Sequence, residues 1–139
     1  MSNWISVREL GPVEAPAPPW VVATSHVENF RQVAGNRGAN VSLIDVADAE
    51  STFDVIVRLR EVVAVPDWCG NSWDSIHDAF PDVLSANQFP LILLVDGLAH
   101  LLSRRPALGL HAVDELSSLS RSLGAAGAQF EPVYLFPML

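Results

Sequence analysis

Lysine is absent from this 139-residue sequence, and cysteine occurs only once, as Cys69. The remaining cations are arginines, and with 16 acidic residues against them the formal net charge is −8. An acidic domain repels phosphate backbones, so we expect no direct binding of nucleic acid. The same charge attracts a basic protein over a long range, although many soluble proteins are acidic only because charge keeps them in solution.

Disulfides and membrane spans are also missing. One cysteine excludes an internal disulfide and a multi-cysteine zinc cluster, which is typical of a reducing compartment. The longest apolar run, at residues 91–95, is far too short to cross a bilayer. The N-terminus has no basic start followed by an apolar run, so we expect no signal peptide. The sequence therefore predicts a cytoplasmic protein that does not contact the membrane.

Half of the residues are apolar, which is enough for one domain with a buried core. Apolar strand candidates alternate with helical patterns, and Phe89–Val95 is the clearest strand. Near-continuous apolar strands between helices predict an α/β fold, with a small parallel sheet of three to four strands covered by helices. Four prolines between Gly11 and Pro19 mark a connector. We therefore predict an N-terminal extension and Pro-rich connector over residues 1–19 and the α/β domain over 20–139.

The richest stretch is residues 65–80, VPDWCGNSWDSIHDAF. We place Asn71 at the cap of a helix, with Asp74 at the third helical position, where a carboxylate favours the helix N-terminus. At about 100° per residue, Trp73, Ile76 and Phe80 cluster on one face of that helix. This face is predicted to pack inward.

The opposite face of the same helix carries Asp74 and Asp78, one turn apart, with His77 at the border. Two like charges at this spacing destabilise a helix by about 0.2–0.5 kcal/mol, and no lysine or arginine in the helix offsets them. Asp67 and Asp82 extend the acidity. Each aspartate alone is explained as a cap or a solvated surface residue, but the pair favours a surface that binds a basic partner.

Trp68 lies in the loop before the helix, where a rigid amphipathic ring makes a good interface anchor. A loop tryptophan folded back onto its own domain is the alternative. A cysteine-dependent enzyme is a further alternative, because Cys69 precedes a helix N-terminus and His77 follows. His77 is more than two turns along the helix, which is too far to take the thiol proton. Asp74, His77 and Asp78 offer at most part of a metal shell.

In these residues the sequence resembles the barstar family of intracellular ribonuclease inhibitors. The family pattern is an apolar-Pro step, an acidic residue, an aromatic pair, Gly-x-Asn and a helix of the form x-Asp-Ala-x-x-Asp. The corresponding residues 65–78 read VPDWCGNSWDSIHD. The Phe-Pro-apolar strand at Phe89–Val95, a long helix and a last strand keep the family order, so the resemblance runs from Val41 to the C-terminus.

The resemblance implies an inhibitor, or immunity protein, that blocks the basic active site of a small extracellular-type ribonuclease or nuclease toxin. Asp74 and Asp78 match the two inhibitory aspartates, which take the place of substrate phosphate; Trp68 matches the first loop aromatic and Gly70 the loop glycine. We predict no catalytic residue, no metal ligand and no cofactor. The residues predicted to form the partner-binding site are Trp68, Cys69, Gly70, Asn71, Asp74, His77 and Asp78.

Several positions depart from the family pattern. The second loop aromatic is Cys69, the position after Gly-x is Ser72, and His77 stands in place of a tryptophan. The family's further acidic contact, near the end of the long helix, corresponds to Ser122 beside Arg121. These differences imply that the partner surface recognised here is unlike the one recognised by typical members of the family. An adaptor with the same acidic face, which binds another basic protein and inhibits nothing, stays open as an alternative.

Overall fold

The computed structural model describes residues 4–14, 16–80 and 89–137. The strands in these ranges are β1 (Trp20–Ala23), β2 (Asn40–Asp45), β3 (Leu91–Asp96) and β4 (Phe130–Phe136). The α-helices are α1 (Val27–Asn36), α2 (Thr52–Arg60), α3 (Trp73–Ala79), α4 (Leu98–Arg104) and α5 (Pro106–Ala125). Short 3-10 helices cover Val7–Glu9 and Thr24–His26.

The four strands form one parallel sheet in the order β1-β4-β3-β2. β3 and β4 lie in its centre, where both faces of a strand are covered. Both faces therefore select apolar residues, which explains the uninterrupted run LILLV in β3. The predicted α/β fold with a small parallel sheet under helices is confirmed.

Alternate residues of β3 enter two separate hydrophobic clusters, one on each face of the sheet. Leu91, Leu93 and Val95 belong to the first cluster, which also contains buried residues of α2, α3, α4 and α5. Ile92 and Leu94 belong to the second, which contains buried residues of α1 and of the N-terminal segment. Each fully buried aliphatic side chain contributes about 1.5–3 kcal/mol, so the sheet holds α3 and α5 together on one side and α1 on the other.

The segment before β1 packs against the second cluster. Ile5 exchanges two hydrogen bonds with the buried Gln129 side chain, from its N–H to Oε1 at 2.8 Å and from Nε2 to its carbonyl at 2.7 Å. Val13 forms an antiparallel bridge with Val22, which covers part of the outer edge of β1. The buried apolar side chains of this segment are Ile5, Val7 and Leu10. The division of the chain at residue 20 stays a prediction.

A side-chain cap marks the start of α2 but not the start of α1. Ser51 caps α2, since its hydroxyl oxygen accepts from the Asp54 N–H at 3.4 Å. By contrast, residues 24–26 form a 3-10 turn, and α1 begins after His26 without a side-chain cap. In the described ranges, no helix is long and apolar enough to cross a membrane.

Candidate protein-binding site

Residues 66–72, named here the recognition loop, are mostly exposed, and Cys69 is the one buried residue among them. The Cys69 N–H donates to the Pro66 carbonyl at 3.0 Å and closes a tight turn. Within that turn the Trp68 side chain points to solvent and is 65% exposed. The Cys69 side chain points inward and is 5% exposed, as a member of the first cluster. The turn therefore presents the tryptophan by anchoring the cysteine beside it.

Arg60, the last residue of α2, holds the recognition loop from the side. Its Nη1 donates to the Cys69 carbonyl at 2.7 Å, to the Asn71 Oδ1 at 2.9 Å and to the Gly70 carbonyl at 3.4 Å. The side-chain oxygen of Asn71 therefore accepts a hydrogen bond from Arg60. The sequence analysis missed this residue, because nothing local marks an arginine that reaches nine to eleven positions along the chain.

The cap of α3 is Ser72, so the placement of Asn71 at the cap is corrected by one residue. The Ser72 Oγ accepts from the Ser75 N–H at 3.1 Å and lies 2.9 Å from the Ser75 Oγ. Serine and asparagine are equally good caps, and the side chain of Asn71 is bound elsewhere. Gly70 fits beneath this cap, because a Cβ there would lie 3.0 Å from the Ser75 Oγ.

The two faces of α3 are separated as predicted. Trp73 and Ile76 are buried in the first cluster, which also contains Phe80 just after the helix. Asp74 and Asp78 are exposed on the other face and are named here the acidic pair. Within the described residues neither carboxylate has an ion-pair or hydrogen-bond partner, so their charge faces solvent. Asp67 is also exposed in the recognition loop, whereas Asp82 lies outside the described residues.

His77 joins α3 to α5. Its Nε2 lies 3.1 Å from the Glu115 Oε2, and both side chains are 22% exposed. The contact fixes the ring at the border of the acidic pair, where sequence periodicity predicted it. Glu115 is a second residue that the sequence analysis missed, since a partner 38 positions away leaves no local pattern. Ser122, the position of the family's further acidic contact, is exposed on α5.

The Cys69 thiol and the His77 ring are each hydrogen-bonded to a different partner. The Cys69 thiol is buried and donates to the Gly70 carbonyl at 3.3 Å, while the His77 Nε2 is engaged by Glu115. A nucleophile needs its base within hydrogen-bond reach, and these two side chains have other partners. Among the described residues, no group of three His, Cys, Asp or Glu side chains is arranged to hold a metal ion.

Of the seven predicted site residues, four present side chains to solvent or at the border: Trp68, Asp74, His77 and Asp78. Gly70 and Asn71 are exposed but serve the loop geometry, and Cys69 contributes only backbone to the surface. Over the described ranges, the recognition loop and α3 thus present the exposed ring of Trp68 and the acidic pair, whose two carboxylates have no ion-pair partner.

Comparison with known proteins fits this geometry. A family model described as Barstar (barnase inhibitor) matches residues 39–134, which is well over half of the chain and runs from β2 into β4. It thus covers the recognition loop, α3 and α5. The comparison with curated proteins gave no match. By the family match and the parallel α/β fold, the chain belongs to the barstar family.

Proposed function

We propose that the protein inhibits a small basic ribonuclease by placing the recognition loop and the acidic pair of α3 in its active-site cleft. The observation that carries the proposal is the pair of exposed carboxylates Asp74 and Asp78, which lie one turn apart on α3 and have no ion-pair partner among the described residues. The exposed ring of Trp68 in the recognition loop accompanies them. The family description, a barnase inhibitor, supports the same class of partner.

The mechanism is electrostatic mimicry of the substrate. A ribonuclease active site collects cations to bind and stabilise phosphate, and a carboxylate offers two acceptor oxygens to the same groups. Two carboxylates on successive helical turns, with Cβ atoms about 5–6 Å apart, present two such charges in a fixed relation. The net charge of −8 steers the encounter with a basic enzyme.

Rigidity makes the mimicry effective. α3 is packed into the first cluster by Trp73 and Ile76, capped by Ser72 and joined to α5 through His77. A preorganised surface loses little conformational entropy on association. Trp68 adds a large apolar contact that excludes water from the rim of the charged centre.

The compartment follows from the target. An inhibitor of this kind protects RNA where RNA is translated, so we propose that the protein acts in the cytoplasm of the cell that makes it. The target is then an extracellular-type ribonuclease or a nuclease toxin whose activity would harm that cell. The identity of the enzyme is part of the proposal, and a panel of ribonucleases can distinguish the candidates.

The experiment is an inhibition titration against a panel of small microbial ribonucleases, barnase included. Wild-type protein is compared with Asp78→Ala and with Glu28→Ala, which removes the same charge from the exposed side of α1, across the sheet from α3. Loss of one partner from a buried ion pair costs about 2–5 kcal/mol, a general range that barnase and its inhibitor themselves helped to set. By that range, Asp78→Ala weakens inhibition by roughly 30-fold or more.

The proposal is supported if wild type and Glu28→Ala inhibit stoichiometrically and Asp78→Ala does not. This result would also assign the binding surface to the face of α3 that carries the acidic pair. Equal inhibition by both variants would place the contact elsewhere on the molecule. Absence of inhibition across the panel, with the fold intact, would favour the adaptor function, in which the same acidic pair binds a basic protein that is not a ribonuclease.

A further inference from the structure

Among the residues that the structure describes, the side-chain hydrogen bonds from α2 to the recognition loop all come from a single nitrogen atom. Arg60 Nη1 faces three oxygens from three consecutive residues: the carbonyls of Cys69 and Gly70 and the side chain of Asn71. Hydrogen bonds from a charged donor are about twice as strong as neutral ones. In the part of the chain that the structure describes, Arg60 has no carboxylate partner, so its charge is directed to the loop.

The surroundings of Arg60 show that it is not a core residue. Its side chain is half-buried and lines a shallow surface depression with Val57, Glu61, Cys69 and Asn71. Arg60 belongs to neither hydrophobic cluster, so its truncation opens no cavity in them. What depends on it is the conformation of residues 69–71, which connect the exposed Trp68 to the cap of α3.

We propose that Arg60 is a positioning residue of the partner-binding surface. It fixes the recognition loop in its binding conformation before the partner arrives, without touching the partner itself. The effect on affinity rests on the proposed function, but the effect on the loop does not. Among the described residues, this assigns to α2 a role in binding that its own surface does not reveal.

Charge and positioning make opposite predictions for Arg60→Ala. Removing a cation makes the protein more acidic, so electrostatic attraction alone predicts tighter binding of a basic partner. Loss of loop order predicts weaker binding, because the loop must then be ordered on association. Arg58 provides a matched control: it lies on the same helix, is exposed, and contacts only Glu61 at 3.8 Å among the described residues.

The molecule also contains its own reporter of loop order. Cys69 is the single cysteine of the sequence, and its side chain is buried in the loop that Arg60 holds. A thiol reagent reaches it only when the loop opens or the whole chain unfolds. Urea unfolding of each variant measures how much of its Cys69 reactivity comes from unfolding of the whole chain. The remaining reactivity then reports opening of the loop.

The experiment measures the rate of Cys69 modification in wild type, Arg60→Ala, Arg60→Lys and Arg58→Ala. We expect Arg60→Ala to react about 10-fold faster than wild type beyond any change in global unfolding, which is the scale of one charged hydrogen bond. Arg58→Ala reacts like wild type. Arg60→Lys is intermediate, since an ammonium donates to the same oxygens but its side chain is shorter and lacks the planar fork.

The affinity for barnase, measured on the same variants, gives the second readout. For a wild type that binds, Arg60→Ala binds about 10-fold more weakly and Arg58→Ala at least as tightly as wild type. A thiol rate in Arg60→Ala that equals that of Arg58→Ala, or rises only with global unfolding, overturns the inference whatever the affinity. If wild type binds neither barnase nor any other ribonuclease, the proposed function fails, and the thiol rates still decide the role of Arg60.

Discussion

Replacement of Ser72 by alanine tests whether the cap of α3 controls the acidic pair. The Ser72 Oγ satisfies the Ser75 N–H at 3.1 Å, one of the four N–H groups at the start of a helix that have no partner within it. Loss of a serine cap costs about 0.5–2 kcal/mol. Ser72 is exposed and makes one further contact, to the Ser75 Oγ. We therefore expect Ser72→Ala to lower the free energy of unfolding by about 1 kcal/mol.

The matched control is Ser51→Ala at the cap of α2. Ser51 is also exposed, and its Oγ accepts from the Asp54 N–H at 3.4 Å. The longer distance predicts a somewhat smaller loss of stability than for Ser72. The measurements are urea unfolding and thermal melting, where about 1 kcal/mol shifts the Tm by roughly 4 °C in a domain of this size.

The two variants separate when affinity for the inhibited ribonuclease is measured. α3 has only seven residues, and Asp74 is the second of them, so a frayed first turn displaces one of the two charges. A local ordering term of about 1 kcal/mol corresponds to roughly a 5-fold loss of affinity. Ser51→Ala is expected to change affinity less than 2-fold, on the order of measurement error. Equal affinities of Ser72→Ala and Ser51→Ala for the ribonuclease would show that the cap of α3 does not control the acidic pair.

Two further predictions concern titratable groups away from the recognition loop. Burial raises the pKa of Tyr134, the only tyrosine, well above its ordinary value of about 10; tyrosinate absorbance of the folded protein should therefore stay flat through that pH and rise on unfolding. Because the unfolded state ionises first, stability falls as pH rises above about 10, and a native phenol that titrates at its ordinary pH would contradict the burial. Arg105, whose Nε lies 2.7 Å from the Glu50 Oε2, lowers the pKa of that carboxyl. The Glu50–Arg105 ion pair stabilises the fold at pH values above the unfolded pKa of Glu50, about 4.3, and this stabilisation is lost as pH falls through the lower folded pKa. Glu50→Gln should therefore make the free energy of unfolding in urea less dependent on pH in that acid range. An unchanged pH dependence would show that the ion pair does not contribute.

The sheet and the faces of α3 were predictable from sequence because both follow short periodicities. β3 is apolar at every position because both its faces are covered, and its length of six residues separates it from a helix. Trp73 and Ile76 recur at helical spacing, which fixed the inward face and, by exclusion, the acidic pair. These patterns are local, and the structure needed no distant contact to satisfy them.

The start of α3 was misplaced by one residue because two adjacent residues, Asn71 and Ser72, are both good caps. The choice between them is decided by Arg60, which binds the asparagine oxygen from another helix. The position of Glu115 against His77 likewise depends on how α5 crosses α3. Contacts of this kind depend on tertiary packing, which the spacing of residues in one sequence does not encode.

The proposed mechanism requires that the acidic pair occupy the phosphate-binding site of a ribonuclease. The most direct measurement is the affinity of the wild-type protein for the ribonuclease it inhibits, at increasing concentrations of a mononucleotide bound in that active site. We predict competition: the apparent Kd rises linearly with the concentration of free nucleotide. We also predict that Asp78→Ala binds the enzyme much more weakly than wild type even without nucleotide. An apparent Kd that does not change as the nucleotide saturates the enzyme would contradict the claim, because the protein would then bind outside the active site.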